Sequence, residues 1–210
     1  MQDTQQLITD GLSSLNLSLS NQQQACLLEY VSLLSKWNNT YNLTALRDDT
    51  QIISHHILDS LTLTFFMDST LTLLDVGSGG GMPGIPVAIV RPDVQVTVLD
   101  ANSKKTSFLQ QAIIELGLNN VTVVNERVES WHSSRFDTIT SRAFAQLGDF
   151  VKMTEHLILD NGIWLAMKGV YPYEEIMSLP ENVKVDAVHS VNVPNLDAQR
   201  HIVVMTHKKE

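Results

Sequence analysis

Five glycines fall within eight residues in Gly77-Ser-Gly-Gly-Gly-Met-Pro-Gly84, directly after an apolar run that carries one carboxylate, Asp75. A stretch with so few side chains is costly in entropy to order. In return it supplies a backbone that turns sharply and admits a ligand closely, with the unpaired N–H groups of a following helix in reach. Pro83 and Pro86 suit a first helical turn, where a missing N–H matters little. The glycines run Gly77-x-Gly79-x-Gly81, not the G-x-G-x-x-G of a dinucleotide pyrophosphate site. A second apolar run ends in Leu99-Asp100. A carboxylate there, about twenty residues past the glycines, can accept both hydroxyls of a ribose. Without the glycines, Asp100 would read as a helix N-cap before Lys104.

Asp75, Gly77, Gly79, Gly81 and Asp100 together suit a nucleoside that bears an amino acid and no pyrophosphate. S-adenosylmethionine has that chemistry, and NAD is the alternative. A third run ends Asn125-Glu-Arg-Val-Glu129. Val128 and Glu129 there either reach an adenine edge or are plain loop residues.

If a methyl group is transferred, the acceptor atom dictates the residues required. Carbon-5 of a pyrimidine needs a cysteine nucleophile. The one cysteine, Cys26, falls in an apolar helical pattern and reads as core. An exocyclic amine calls for an Asp/Asn-Pro-Pro-Tyr clamp after the fourth strand, where this chain has Thr140-Ser-Arg-Ala-Phe-Ala145. A hydroxyl needs a general base. A ring nitrogen such as guanine N7 carries a free lone pair at neutral pH, so positioning alone suffices. Arg142 could then read guanine's edge, hold the cofactor carboxylate or grip an RNA phosphate. Phe144 either stacks on a base or packs in the core.

The surrounding elements must carry these residues to one place. Residues 1–69 read as a helical segment. Leu7, Leu12 and Leu15 mark a first helix, and Ser20-Asn21 caps a second with Leu27, Leu28, Val31, Leu33 and Leu34 at helical spacing. Residues 37–44, rich in asparagine, read as a structured loop, and 49–66 as a third helix in which His55 and His56 pack or face solvent. Residues 70–210 alternate short strands (71–76, 94–99, 121–125, 136–140, 162–168, 183–191, 201–206) with helices (84–90, 104–116, 144–159, 173–178). That rhythm implies an α/β fold with a mostly parallel sheet covered on both faces. The last two strands, joined by a short link, must pair antiparallel.

Composition narrows the class. Of 210 residues, 43% are apolar and 18% charged, ordinary for a globular chain. One cysteine allows no internal disulfide and no Cys/His cluster has zinc spacing, so the expectation is a reduced, cytoplasmic setting without a metal. No apolar run approaches a membrane span. A net charge of −9 argues against coating nucleic acid, so any RNA contact must be a local patch.

Six stretches now resemble one family. They are Asn38-Asn-Thr-Tyr-Asn42-Leu-Thr44, His56-Ile-Leu-Asp59-Ser60-Leu61, Leu74 to Pro86, Ser141-Arg-Ala-Phe-Ala145, Lys168-Gly169 and Arg200-His-Ile-Val-Val204. In this order, from about residue 36 to 205, they look like the bacterial ribosomal RNA small subunit methyltransferase G family, also called glucose-inhibited division protein B. The resemblance implies a Rossmann-like class I methyltransferase sheet of seven strands, the last antiparallel, with an N-terminal helical extension. It implies transfer of methyl from S-adenosylmethionine to N7 of one guanine in 16S ribosomal RNA, within a small-subunit particle. By position, the family's cofactor contacts fall on Gly77, Met82, Val128, Glu129 and Arg142. Asp100 holds the second-strand acidic position, and Ala101 stands where the family often has Ser. Arg142, Lys168 and Arg200, with Asn38 and Asn42, would form an RNA-facing rim. Arg142 and Lys168 would position the reaction, although Lys168 also reads as a surface lysine. A monomer without a protein partner is expected. An NAD-dependent oxidoreductase and a non-catalytic cofactor sensor are the competing readings.

Overall fold

Seven strands make one sheet in a computed structural model that describes residues 4–208. They are β1 (Thr72–Val76), β2 (Gln95–Leu99), β3 (Val121–Val124), β4 (Phe136–Arg142), β5 (Ile158–Lys168), β6 (Val183–Ser190) and β7 (His201–His207). Their order is β3-β2-β1-β4-β5-β7-β6. The first five in that order run parallel, and β7 lies antiparallel between β5 and β6. The expected antiparallel pairing is therefore present. Strand order reverses between β1 and β4, so a crevice opens at their carboxyl ends.

The sheet is apolar on both faces, as the near-continuous hydrophobic strands require. Neighbouring residues go to opposite sides. Leu73, Leu165, Met167 and Ile202 join one core, while Leu74, Trp164, Ala166 and Val203 join the other. Helix α5 (Gly84–Val90) and helix α6 (Ser103–Glu115) cover the first face. So do the N-terminal helices α1 (Thr4–Ser14) and α2 (Asn21–Tyr41), whose Leu7, Leu12, Leu27 and Leu34 belong to the same core as the strands. The helical segment thus shares its core with the sheet. Helix α7 (Leu147–Thr154) and α8 (Tyr173–Met177) flank the other face, where buried Trp164 donates to Thr154 Oγ1 at 2.9 Å. No described helix is long and apolar enough to cross a membrane.

Four features differ from the expectation. The asparagine-rich stretch stays helical to Tyr41, and Asn42 ends α2 in the left-handed conformation (φ 50°). Residues 49–66 are helical but not uniformly so: α3 (Asp49–Ile52) passes into a π-helical stretch (Ile53–Leu58), then α4 (Asp59–Leu61) and a 3₁₀ turn (Thr62–Phe66). Such π segments recur at functional sites. Helix α7 begins at Leu147, not 144, and β5 begins at Ile158, where its register against β4 shifts between Phe136 and Thr138.

Candidate active site

The glycine loop follows β1. The amides of Gly77 and Ser78 both donate to the Leu99 carbonyl, at 2.8 and 3.1 Å, tying the loop to the end of β2. Gly77 has φ +69° and a Cβ there would lie 2.5 Å from the Phe144 ring, so the position admits only glycine without movement. Tyr30 of α2 donates its hydroxyl to the Gly80 carbonyl from below. The N-terminal extension therefore supports the loop directly.

Asp100 is 8% exposed. Its Oδ2 accepts from the Gly79 amide at 2.9 Å, and Oδ1 from the Asn102 amide at 2.8 Å. The Nζ of Lys105 stands 3.8 Å away. Asn102, not Asp100, caps α6. A carboxylate offers about four lone-pair sites, so Asp100 retains acceptor capacity toward the cavity it lines. That cavity, about 270 Å³, is built by Gly77 after β1, Asp100 and Ala101 after β2, Val128 and Glu129 after β3, and Ala143 and Phe144 after β4.

Not every expected cofactor residue faces it. Asp75 is buried beneath the loop, its Oδ2 accepting from the Gly84 amide at 2.8 Å at the start of α5. Burial pushes its carboxyl up to about 7. Its Oδ1 has no partner. Gly81 and Met82 also turn inward: a Cβ on Gly81 would strike Ile85 and Leu109, and Met82 belongs to the core under Gly80. These three shape the loop from behind and do not form the cavity wall. The cavity nonetheless fits an amino-acid-bearing nucleoside. It combines side-chain-free backbone at Gly77, a ribose-type acceptor at Asp100 and an apolar wall at Val128.

A second cleft, about 520 Å³, lies across Ala143, which borders both cavities. Ala143 holds φ 53°, a strained conformation for alanine of the kind that clusters at functional sites. The cleft is lined by His55, His56 and Asp59 from the π segment and its end, Arg142 from β4, Lys168 from β5 and Arg200 just before β7. Arg142 donates to the His55 carbonyl (3.0 Å) and to Asp59 Oδ2 (3.1 Å), and its Nη2 stands 3.2 Å from His56 Nδ1. His56 Nδ1 also stands 3.0 Å from the His55 carbonyl, and its Nε2 is 2.6 Å from Thr44 Oγ1, so both ring nitrogens are engaged within the protein. Burial first, then the Arg142 charge, lowers His56 to about 4. Arg200 Nε donates to Asp59 Oδ1 at 3.1 Å. Lys168 Nζ is held by Glu175 Oε2 (2.7 Å) and the Ala145 carbonyl (3.0 Å).

Arg142 therefore stands in the second cleft and not in the cofactor cavity, because its guanidinium is drawn away by Asp59. Asn38 corrects another expectation: it is 1% exposed. Its Nδ2 donates to the Leu46 carbonyl at 2.7 Å and its Oδ1 accepts from the Thr44 amide at 2.9 Å, so it braces the loop after α2 and offers nothing to a rim. Asn42 is exposed, with Oδ1 taken by Arg47 at 2.9 Å. Cys26 is half-buried and its thiol is pushed up to about 11, chiefly by burial and then by Glu29, which makes it a poor nucleophile. No group of acidic, histidine or cysteine side chains among the described residues could hold a metal ion.

Thr44, His56, Asp59 and Ala143 were not read as site residues from sequence. The available signal was Asp59 itself, a carboxylate set among Ile57, Leu58 and Leu61 on an apolar helix face, three residues after His56.

The reversing sheet order, the glycine loop tied to the next strand's acid and the closing antiparallel β7 define a class I S-adenosylmethionine-dependent methyltransferase. Solved structures share the architecture: a SAM-dependent methyltransferase from Aquifex aeolicus (TM-score 0.59, 15% identity, 83% of this chain and 97% of that one), and M. jannaschii TYW2 in complex with AdoMet (TM-score 0.57, 15% identity, 73% and 76%). The chain belongs to the rRNA small subunit methyltransferase G family, whose model matches residues 23–203. It is 60% identical to the Ribosomal RNA small subunit methyltransferase G of Neisseria meningitidis serogroup B, over 93% of this chain and 95% of that relative. It is 55% identical to the protein of the same name from Chromobacterium violaceum, over 94% and 95%. Family membership removes the oxidoreductase alternative.

Proposed function

We propose that the chain transfers the methyl group of S-adenosylmethionine to N7 of one guanine in 16S ribosomal RNA. When bound, the cofactor supplies a sulfonium-activated methyl group. The protein's own residues orient both partners. Gly77 and Asp100 would hold the nucleoside in the first cavity, against Val128 and Glu129. Arg142, Lys168 and Arg200 would hold the RNA in the second, and Ala143 stands at their junction.

One observation supports the choice of acceptor: of the titratable groups lining the second cleft, Asp59, His56 and Lys168 are all engaged within the protein, and His55 has its Nδ1 2.9 Å from Ser54 Oγ. Both Asp59 oxygens are occupied by guanidiniums. His56 is neutral, with both ring nitrogens engaged by Thr44, the His55 carbonyl and Arg142. Lys168 is paired with Glu175. A site whose buried carboxylate, imidazole and ammonium are so engaged suits a nucleophile that has no proton to lose. The cleft is a local cationic patch on an acidic chain, which supports recognition of RNA already shaped within a small-subunit particle over naked strands. A cytoplasmic monomer, organised as a helical segment (1–69) and a methyltransferase domain (70–210), completes the reading.

The test is transfer from labelled S-adenosylmethionine to purified small subunits lacking the modification, followed by mapping of the methylated position. A single 7-methylguanine in 16S RNA is expected. A methyl group on another atom, or on protein, defeats the assignment.

A further inference from the structure

Asp59 is the buried charge for which binding of cofactor or RNA has no direct use. It is 1% exposed, at the end of the π segment. Its two oxygens are divided between Arg142 at the end of β4 and Arg200 just before β7, 3.1 Å from each. Those strands flank β5, so one carboxylate spans the floor of the cleft across three strand ends. Removal of a carboxylate from water is tolerated only with such pairing.

The hydrogen bonds show what the pairing achieves. Arg142 spends both Nη1 donors within the protein, on the His55 carbonyl and Asp59, and its Nη2 stands 3.2 Å from His56 Nδ1. Arg200 uses its Nε on Asp59 and one Nη1 proton on the Gln199 carbonyl. Each planar fork is thus fixed by its inner donors while its outer donors remain for a substrate. Both side chains keep some exposure, 19% and 24%.

We propose that Asp59 is a positioning residue for the RNA substrate. It fixes the orientation of two arginines and removes one unit of positive charge from the cleft, so that the target base is registered against the cofactor cavity and polyanions are not gripped indiscriminately. This rests on the cleft being the RNA site. The carboxylate touches neither reactant and acts through Arg142 and Arg200.

The test is Asp59→Asn, nearly isosteric, which sets an amide N–H₂ against a guanidinium and lets the forks turn. Affinity for S-adenosylmethionine by calorimetry should stay within about twofold, since Asp59 lies outside the cofactor cavity. On small subunits kcat should fall on the order of 100-fold, the scale of an ångström misplacement of reacting groups. KM should not rise. The slope of log binding constant against log salt should steepen by about one, because the arginines lose their internal counter-charge. A merely structural aspartate would lower stability and cofactor binding together and leave the salt slope unchanged. A raised KM with kcat retained, or joint loss of cofactor binding and activity, overturns the proposal. If Asp59→Asn does not fold, Asp59→Glu keeps the charge and is expected to lower kcat with no change in salt slope. Absence of transfer by the unaltered protein would defeat the functional reading instead, and the salt slope would still report on Asp59.

Discussion

Gly77→Ala tests whether the glycine loop and Phe144 form one unit. Gly77 sits at φ +69°, where an L side chain costs about 1–2 kcal/mol. For a chain of this size that lowers Tm by about 2–8 °C. The new Cβ would also lie 2.5 Å from Phe144 Cδ2, closer than any real contact. Phe144 is 36% exposed, so its ring can swing outward at little cost to the fold. It lines the cofactor cavity, however, and its displacement removes an aromatic wall. An aromatic contact of that kind is worth about 0.5–1.5 kcal/mol, up to roughly tenfold in Kd. Calorimetry with S-adenosylmethionine and a thermal melt separate the two effects. The double variant Gly77→Ala/Phe144→Ala should bind no more weakly than Phe144→Ala alone, because the ring is lost either way, while its Tm keeps the backbone penalty. Unchanged affinity in Gly77→Ala, or fully additive affinity losses in the double variant, refutes the reasoning.

Tyr30→Phe strands the buried Gly80 carbonyl and should cost about 1–3 kcal/mol, read by urea denaturation, with weaker cofactor binding as the loop loosens. No change in cofactor affinity would separate the N-terminal helices from the site. Lys168→Ala should raise KM for small subunits about tenfold, on the scale of one charge-assisted hydrogen bond, with cofactor affinity nearly kept; equal loss of both would remove Lys168 from the RNA face. Two buried groups give opposing pH dependences. Asp75, raised to about 7 by burial, is protonated when folded and ionised when unfolded between about pH 4 and 7, so its contribution to stability falls as pH rises through that window. His56, lowered to about 4 chiefly by burial, contributes stability above about 6.5 that is lost as pH falls toward 4. In Asp75→Asn the His56 loss on acidification should stand alone, and denaturant titrations from pH 7 to 4 that show no steeper fall than in the unaltered protein would contradict the assignment.

The first cavity was partly legible because it is local: Gly77, Asp100, Val128 and Glu129 do line it. Gly77, Gly79 and Asp100 follow strands whose apolar runs are visible, and the tie between Gly79 and Asp100 joins residues about one βα unit apart. The inward turn of Asp75, Gly81 and Met82 was not legible, since only tertiary packing against Tyr30, Ile85 and Leu109 decides which side of a loop becomes wall and which becomes core. Asn38 misled for a related reason. Asparagine favours loops by bonding its own neighbourhood, yet here its side chain satisfies the backbone of residues 44 and 46 and leaves its own peptide helical. The early start of β5 was hidden by Gly162, which reads as a strand opening but sits inside an irregular stretch, where an added Cβ would lie 2.9 Å from the Asp137 carbonyl.

In the second cleft, Arg142, Lys168 and Arg200 were grouped from sequence as one rim, but Asp59, which ties two of them together, was not, and the reason bears on how the two cavities work together. Asp59, Arg142 and Arg200 are more than 50 residues apart in sequence, and only the antiparallel insertion of β7 beside β5 brings Arg200 to the strand ends where Arg142 already stands. The parallel strands and glycine loop alone form a cavity for a nucleoside. The helical segment and β7 add the second cleft: one supplies Thr44, His56 and Asp59, the other Arg200. The same segment also holds the glycine loop through Tyr30. Its helices therefore line the second cleft and brace the loop beside the first cavity, so truncation before β1 removes that cleft's wall and the support of the glycine loop in one step.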